Sequence, residues 1–338
     1  MMKAVGFKTS LPISETNSFI EFETEKPSPK GHELLVKIKA IAVNPVDFKI
    51  RQNSAKDTLL EQPKIIGWDA CGVIEAVGEN VTLFKVGDEV YYAGDITKQG
   101  CNAEFQVIDE RIVGKKPKSL SDEAAATIPL TALTAWEILF DRIRISSEKD
   151  KNKTLLIIGG AGGVGSIAIQ LAKKIANLKV IATASRPETI EWCKQMGADV
   201  VVNHKNLADE VRNAGFQFVD FIVDFVDTNS YWDAMAELIK PQGHIASITG
   251  SATPLALNKL KTKSASFSWE FMYTRSTFQT EDMIEQHHIL NKVADLLDEG
   301  IIVNTLTQTL HGLSAESLKQ AHQQLESGTT IGKLAIKY

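Results

Sequence analysis

Hydrophobic and polar positions follow two different patterns along the chain, and the change between them falls near residue 127. Before that point, short apolar runs at residues 34–38, 72–78 and 88–91 are separated by stretches that contain glycine and proline. Runs of this length and spacing predict an antiparallel β-barrel or sandwich. We therefore predict one β-rich region over residues 1–127, with residues 1–10 as its first strand.

From residue 128 the pattern changes to strand-like runs that alternate with helical ones. Apolar runs at 154–158, 179–183, 200–202, 219–224 and 244–249 are separated by predicted helices that include 167–176, 187–196 and 230–240. Alternation of this kind predicts a parallel sheet with helices on both faces. The predicted fold class is therefore α/β, with a doubly wound parallel sheet that follows the β-rich region.

The C-terminal segment mixes both patterns. A predicted helix at 281–299 is followed by a β-like run at 301–310, a second helix capped by Ser314, and a final strand at 332–338. These elements could return to complete the β-rich region. His287 and His288, which are adjacent in the first helix, are predicted to be exposed. The β-like run at 264–269 could be an edge strand of the parallel sheet, and such edges often pair across a twofold axis.

Composition and charge narrow the range of functions. Hydrophobic residues make up 43% and charged residues 23% of the chain, which is typical of a water-soluble globular protein. The net charge of -5 provides no basic field for nucleic acid or an anionic membrane. The three cysteines, Cys71, Cys101 and Cys193, are widely spaced and form no CxxC pair. This usage predicts a reducing, cytoplasmic location.

One glycine-rich motif carries the candidate chemistry. The segment Gly160-Ala161-Gly162-Gly163-Val164-Gly165 matches GxGxxG, follows an apolar strand and opens a helix. In that context the glycines allow a tight turn and a close backbone approach to a pyrophosphate, whose charge is stabilised by N–H groups of the helix N-terminus. The motif therefore predicts a dinucleotide-binding site.

The residues after the next strand indicate which dinucleotide binds. Sheets of this kind that bind NAD place Asp or Glu about 20 residues beyond the glycines, against the ribose hydroxyls. Here the strand runs into Ser185 and Arg186, and the first acidic residue is Glu188. A serine can donate a hydrogen bond to a 2′-phosphate and an arginine can pair with it. We therefore predict NADP(H) as the cofactor, with His204 as a further contact.

With these features the chain resembles the medium-chain dehydrogenase/reductase superfamily over its whole length. A closer similarity, to the quinone oxidoreductase (zeta-crystallin-like) branch and to proteins named zinc-type alcohol dehydrogenase-like, rests on Val43-Asn44-Pro45-Val46-Asp47, Leu133-Thr134-Ala135, Gly162-Gly163-Val164-Gly165 and Gly332-Lys333. The resemblance implies a GroES-like, partly open barrel over 1–127, completed by 271–338. It also implies a Rossmann domain over 128–270 and a cofactor in the cleft.

The chain departs from the zinc-dependent members of this superfamily. Where they place a catalytic Cys and a Gly-His-Glu, this chain has Asn44 and Gly67-Trp68-Asp69, and tryptophan cannot ligate zinc. Only Cys101 lies in the stretch 92–107, which corresponds to their four-cysteine structural lobe. We therefore predict no metal site of either kind.

The family's cofactor contacts carry over to this sequence residue by residue. The resemblance implies Asn44 beside the nicotinamide, Thr134 at the domain junction, and contacts to the 2′-phosphate from the residues after the second and third strands. Many relatives have Tyr at position 204 and a glycine-containing turn at 224–227, where this chain has His and Asp-Phe-Val-Asp. The full predicted set is Asn44, Thr134, Gly160, Gly162, Gly163, Val164, Gly165, Ser185, Arg186, His204, Phe225, Ile248 and Thr249.

The absence of predicted zinc ligands determines the expected reaction. Without zinc nothing lowers the pKa of an alcohol, whereas a quinone or an α,β-unsaturated carbonyl accepts hydride with less assistance. We expect an NADPH-dependent reductase of such acceptors, with Asn44, Asp47 and Tyr273 as candidate catalytic residues. Two alternatives stay open: a zinc-type alcohol dehydrogenase-like enzyme, and a non-catalytic NADPH-binding sensor or structural protein. The expected partners are a small-molecule acceptor and a second copy of the chain, without nucleic acid or membrane.

Overall fold

The computed structural model describes all 338 residues, which divide into two compact units. Unit 1 contains Met1–Leu130 and Tyr273–Tyr338, and unit 2 contains Thr131–Met272. The chain therefore forms most of unit 1, continues through the whole of unit 2 and then returns to unit 1.

Strands and helices are numbered in chain order. The strands are β1 Met2–Phe7, β2 Ile20–Thr24, β3 Glu33–Ala42, β4 Lys64–Ile65, β5 Asp69–Val77, β6 Glu89–Tyr92, β7 Phe105–Asp109, β8 Val113–Lys115, β9 Thr154–Ile158, β10 Lys179–Thr183, β11 Val200–Val202, β12 Val219–Asp224, β13 Ile239–Ser247, β14 Ser266–Trp269, β15 Leu306–His311 and β16 Lys333–Lys337. The helices are α1 Pro45–Asn53, α2 Asp122–Ala126, α3 Pro129–Trp136, α4 Gly163–Lys174, α5 Pro187–Gln195, α6 Leu207–Asn213, α7 Thr228–Leu238, α8 Asn258–Lys261, α9 Thr274–Phe278, α10 Glu285–Asp298 and α11 Ala315–Glu326.

Unit 1 is built mainly on antiparallel strands. Its larger sheet has seven strands, β15-β16-β3-β5-β6-β8 with β7 also paired to β3, and its smaller sheet has the order β2-β1-β4. The long strand β3 pairs with β5 along one edge, while β7 and β16 share its other edge. Only the pair of β15 with β16 is parallel. The predicted antiparallel β region is confirmed, and β15 and β16 join its sheet beside β3.

Unit 2 is a six-stranded parallel sheet with the order β11-β10-β9-β12-β13-β14. The central strand β9 is buried from Leu155 onwards, because helices cover both faces of a doubly wound sheet. One buried cluster packs Leu156, Ile222 and Trp232 together with further aliphatic side chains. The predicted α/β fold is confirmed, and β9 is the strand from which the chain winds in both directions. Ligands of such sheets bind at the carboxyl ends of the strands beside this point.

The structure corrects two predictions for the C-terminal segment. His287 is half-buried rather than exposed: its Nδ1 lies 2.7 Å from the Val113 carbonyl oxygen, because α10 packs on β8, whereas His288 is exposed. The last-but-one strand, β15, begins at Leu306 rather than at residue 301. Of the apolar residues before it, Ile302 is buried but Val303 is 50% exposed. The apolar run there anchors a loop instead of extending the strand.

Two broad features bear on function. No helix combines the length and the hydropathy that crossing a bilayer requires. The three cysteines are free and buried. Burial raises the pKa of Cys71 and of Cys101 well above the usual thiol range, which keeps both in the unreactive thiol form.

Candidate active site

A turn of residues 159–165, called here the glycine turn, joins β9 to α4 in unit 2. Gly159 has a φ of 90°, a left-handed conformation that favours glycine. A Cβ on Gly165 would lie 2.2 Å from the carbonyl oxygen of Gly159, and a Cβ on Gly160 would lie 2.8 Å from the Cβ of Ala182. These glycines are therefore required by the close packing of the turn against its helix and against β10.

Gly162, in contrast, has space where a side chain would be. A Cβ there would meet only the Gly159 carbonyl oxygen, at 3.7 Å. Gly162 is also the N-cap of α4, with no side-chain cap, and the first turn of the helix contains no acidic residue. A helix N-terminus of this kind attracts anions through its N–H groups and its dipole. The turn therefore fits the pyrophosphate of a dinucleotide, with Gly163 and Val164 in the first helical turn.

Ser185 and Arg186 follow β10, as predicted, and Ser185 is exposed. The Arg186 Nε lies 3.3 Å from Glu188 Oε1, in a pair whose two side chains are 41% and 54% exposed. An exposed pair of this kind contributes less than about 1 kcal/mol, so a phosphate can replace the carboxylate as the partner of Arg186. The two residues therefore fit a 2′-phosphate, although Glu188 competes for the guanidinium.

His204 has a partner that the sequence did not reveal. Its Nδ1 lies 3.0 Å from the hydroxyl of Tyr231, in the first turns of α7, and both rings are partly buried. Burial, together with the nearby Asp224 and Asp227 carboxyls, raises the pKa of Tyr231. The tyrosine restricts the orientation of the imidazole. Because Tyr231 is 27 residues away in the chain, no local pattern could have identified it.

Asp224 organises the carboxyl ends of β12 and β13. It is fully buried, and its Oδ1 accepts hydrogen bonds from the backbone N–H groups of Val226 at 3.0 Å and Asp227 at 3.3 Å. Its Oδ2 accepts from the hydroxyls of Ser247 at 3.1 Å and Thr228 at 3.3 Å. Burial raises the pKa of Asp224, and these bonds oppose the rise. Hydrogen bonds to the Asp224 side chain therefore stabilise the turn of residues 224–227, which lacks glycine.

Three of the remaining predicted contacts of unit 2, Phe225, Ile248 and Thr249, lie beside this network. Phe225 and Ile248 are partly buried directly after their strands, and the Ile248 N–H donates to the Asp224 carbonyl oxygen at 3.3 Å. The hydroxyl of Thr249 accepts from the Thr228 N–H at 3.0 Å, so its first role is to hold the turn. Thr134 is buried in α3. The structure thus brings the glycine turn, Ser185, His204 and Phe225 to one end of the sheet.

Unit 1 contains a second arrangement, called here the polar cluster, formed by Asn44, Asp47, Asp69 and Lys333. The four residues are buried to at least 96%. Asn44 Nδ2 donates to Asp69 Oδ2 at 2.8 Å, and the Lys333 ammonium donates to Asn44 Oδ1 at 2.5 Å and to Asp69 Oδ2 at 3.1 Å. The other Asp69 oxygen accepts from the Leu130 N–H at 2.8 Å. Burial raises the pKa of Asp69, while the lysine charge and the asparagine amide oppose that rise.

Two of the three candidate catalytic residues belong to the polar cluster, and the third lies close enough to be affected by it. Asp47 Oδ2 accepts from the backbone N–H of Asn44 at 2.7 Å, at the start of α1. Burial raises the pKa of Asp47 to about 7. Tyr273 is buried with its ring edge-on to Trp68, and burial and the carboxyls of Asp47 and Asp69 raise its pKa well above the usual range. The sequence predicted Asn44, Asp47 and Tyr273 as candidates but gave no role to Lys333.

The polar cluster does not fit a zinc ion. Zinc sites in proteins are built from thiolates, imidazoles and carboxylates, and here an amide, a carboxylate and an ammonium are already bonded to one another. A dication beside the Lys333 ammonium would be repelled, since two like charges at such distances interact strongly in a buried site. No group of three or more His, Cys, Asp or Glu side chains is placed to hold a metal.

Comparisons with protein families match both units. Residues 30–118 match the family described as "Alcohol dehydrogenase GroES-like domain", and residues 163–286 match the family described as "Zinc-binding dehydrogenase". The chain is 47% identical over 338 residues to a "Zinc-type alcohol dehydrogenase-like protein" of Staphylococcus epidermidis, covering 99% of each chain. It is 31% identical to the "2-methylene-furan-3-one reductase" of Solanum lycopersicum, over 94% of this chain and 74% of the relative.

A third relative and two solved structures extend these similarities. The "NADPH-dependent alkenal/one oxidoreductase, chloroplastic" of Arabidopsis thaliana is 33% identical over 68% of this chain and 58% of its own length. A Rhizobium etli protein assigned by name to the zinc-dependent alcohol dehydrogenases is 47% identical, with a TM-score of 0.95 over 100% of this chain and 98% of that one. The mycobacterial protein Rv1454c, whose structure is a complex with NADPH, is 26% identical with a TM-score of 0.83 over 100% of both chains.

Proposed function

The chain belongs to the medium-chain dehydrogenase/reductase superfamily of oxidoreductases, and we propose that it reduces quinones or α,β-unsaturated carbonyls with NADPH and without zinc. The observation that carries the proposal is the uncapped N-terminus of α4, where Gly162 leaves space for a diphosphate. The polar cluster, which holds an ammonium group instead of metal ligands, supports the part of the proposal that concerns zinc.

Three observations support NADPH rather than NADH. The end of β10 has Ser185 and Arg186 where an NAD site has a carboxylate. His204, fixed by Tyr231, lies after the neighbouring strand β11 of the same sheet. The Arabidopsis relative is named for NADPH dependence and for alkenal and alkenone substrates, and the Solanum relative is named as the reductase of an enone. The names of these two relatives also favour an activated alkene as the acceptor.

Hydride transfer from NADPH to such an acceptor requires little from the protein beyond the correct orientation of the two molecules. Bound NADPH would supply the hydride. The glycine turn would hold the diphosphate on backbone N–H groups, and the residues after β10 and β11 would hold the adenosine phosphate. Asn44 would lie at the reacting end, with its amide fixed by the polar cluster. The proton that follows hydride transfer would come from water or from a weak acid, and Asp47 is the carboxyl whose pKa of about 7 suits that role.

The experiment is acceptor-dependent oxidation of NADPH by protein that has been exhaustively dialysed against a chelator. Crotonaldehyde, methyl vinyl ketone and menadione serve as acceptors, and ethanol with NADP⁺ serves as the alcohol substrate. We expect turnover of at least one acceptor, at the same rate before and after chelation. Activity that is lost on chelation and restored by zinc would establish the zinc-type alcohol dehydrogenase-like alternative. Tight NADPH binding without turnover of any acceptor would establish the non-catalytic alternative.

The proposal includes a homodimer formed through unit 2. The strand β14 lies at the edge of the six-stranded sheet, as predicted, and has no strand on its outer side. Trp269 at its end is 46% exposed. Pairing of two β14 edges across a twofold axis would cover the open backbone groups. Light scattering of the purified protein should give twice the mass of one chain, and a monomer would exclude this arrangement.

A further inference from the structure

Lys333 is buried, with 4% of its surface exposed, although lysine is almost never buried without partners. Its ammonium group donates to Asn44 Oδ1 at 2.5 Å, to the Val43 carbonyl oxygen at 2.9 Å and to Asp69 Oδ2 at 3.1 Å. An ammonium group has three N–H donors, so all of them are used inside unit 1. Any effect of Lys333 on a reaction must therefore pass through one of these neighbours.

Strand register brings these residues together from distant parts of the chain. The strand β16 pairs with β3 so that Ala335 lies opposite Ala42, and β3 pairs with β5 so that Ala42 lies opposite Asp69. The pairing of β16 with the chain after β3 continues, because the Val43 N–H donates to the Leu334 carbonyl oxygen at 3.3 Å. Lys333, the first residue of β16, is thereby brought beside Asn44.

The two neighbours determine the orientation of the Asn44 amide. Its oxygen faces Lys333, which can only donate, and its nitrogen faces the Asp69 carboxylate, which can only accept when ionised. A rotation of the amide by half a turn would place oxygen against oxygen and nitrogen against ammonium. The backbone of Asn44 is fixed as well, by the 2.7 Å bond from its N–H to Asp47. The second N–H of the amide can therefore point in only one direction.

We propose that Lys333 is a positioning residue for hydride transfer, which acts by holding the Asn44 amide in the orientation that the reaction uses. The inference rests on the proposed function, in which Asn44 lies at the reacting end of the bound cofactor. A hydrogen-bond donor that is fixed before the reaction begins costs no reorganisation when the charge distribution changes. In this chain a buried lysine on the C-terminal strand provides that fixation.

The test must separate positioning from stability, because Lys333→Met alone leaves Asp69 buried without its cation. The double variant Lys333→Met/Asp69→Asn removes both charges, and the new amide can still accept from the Leu130 N–H. We expect the double variant to fold and to bind NADPH with unchanged affinity, since the dinucleotide contacts of unit 2 are intact. Single-turnover hydride transfer to methyl vinyl ketone, measured with NADPH bound in advance, should be slower by ~100-fold. A rate equal to that of the wild type would show that the pair has only a structural role.

A matched control removes another ion pair from the same unit, between a buried arginine and a glutamate whose side chain is 22% exposed. Arg51 is fully buried and its Nη2 lies 2.5 Å from Glu326 Oε1, outside the polar cluster. The variant Arg51→Met/Glu326→Gln should keep the wild-type rate of hydride transfer. If it slows transfer as much as the first double variant does, the effect belongs to unit 1 as a whole and the inference fails.

The variant Asn44→Ala shows whether Lys333 acts through Asn44. In the wild type, this substitution should slow hydride transfer to about the same extent as the double variant does. In the double variant it should cause little further loss, because residues that act as one unit are not additive. Losses that multiply would overturn the inference. Wild-type protein without NADPH-dependent turnover would instead refute the proposed function, before any variant is compared.

Discussion

The glycine turn of unit 2 and the polar cluster of unit 1 present two different ways to build a site. The turn consists of consecutive residues with almost no side chains, and it offers a ligand the backbone N–H groups of α4. The cluster consists of side chains from Asn44, Asp47, Asp69 and Lys333, whose donors and acceptors are mostly satisfied by one another. A site of the first kind depends on empty space, whereas one of the second kind depends on complete pairing.

The largest expected effect tests the dependence on pairing. Lys333→Ala should lower the free energy of unfolding by about 3–5 kcal/mol, because it leaves the Asp69 carboxylate buried without its cation. Lys39→Ala, at an exposed position of β3 in the same sheet, should change it by less than about 0.5 kcal/mol. Urea denaturation of both variants provides the measurement. Equal effects at the two positions would mean that the buried pair does not stabilise unit 1.

The next effect concerns Asp47, one of the two carboxyls in the polar cluster whose pKa is raised by burial. The pKa of Asp47 is raised from 3.8 to about 7 by burial, so the folded protein binds more protons than the unfolded chain between these values. Its contribution to stability is therefore fully present below pH 3.8 and is lost as the pH rises to about 7. At about 1.4 kcal/mol for each pKa unit, the loss amounts to a few kcal/mol. Stability measured across this range should become less dependent on pH in Asp47→Asn, and a difference between the two proteins that is constant with pH would contradict the assignment.

A smaller effect separates the two roles of glycine in the glycine turn, which are to allow close packing at Gly165 and to leave space for a ligand at Gly162. Gly165→Ala should destabilise the protein by about 1–3 kcal/mol and weaken NADPH binding, because its Cβ would lie 2.2 Å from the Gly159 carbonyl oxygen. Gly162→Ala should leave stability unchanged and weaken only the binding of NADPH, because its Cβ would occupy the space assigned to the diphosphate. Thermal unfolding and coenzyme titration of both variants test this difference. Unchanged NADPH affinity in Gly162→Ala would remove the diphosphate from this position.

The smallest effect concerns the choice of coenzyme. Arg186→Ala should weaken NADPH binding by about tenfold, equivalent to about 1.4 kcal/mol, and leave NADH binding unchanged. As a control, Lys194→Ala removes a positive charge from the last turn of α5, the helix that Arg186 precedes. This variant should change neither affinity. Fluorescence titration with both coenzymes gives the ratio directly. An equal loss of affinity for NADPH and NADH would show that Arg186 does not contact the 2′-phosphate.

The two regions also differ in how well the sequence predicts them. The GxGxxG segment, the strand before it, the helix that it opens and the Ser314 cap of α11 are local patterns, and the structure has them where they were expected. The parallel sheet followed equally well from the alternation of strands and helices. Prediction was least accurate at boundaries, such as the start of β15, where an apolar run anchors a loop.

The polar cluster could be predicted only in part, because its members are far apart in the chain. Asn44 and Asp47 belong to one local motif, but Asp69 and Lys333 reach them through the register of β5, β3 and β16. The same reason explains why the Tyr231 partner of His204 was missed. The position of His287 was predicted wrongly, because the packing of α10 on β8 is also a long-range contact. Long-range pairing of polar side chains leaves no periodic pattern in a sequence.

The central claim, that the glycine turn binds a dinucleotide with a 2′-phosphate, is tested most directly by calorimetric titration of the purified wild-type chain with NADPH and with NADH. The account predicts one NADPH bound per chain, with an affinity at least about tenfold higher than that for NADH. Binding of neither coenzyme would contradict it.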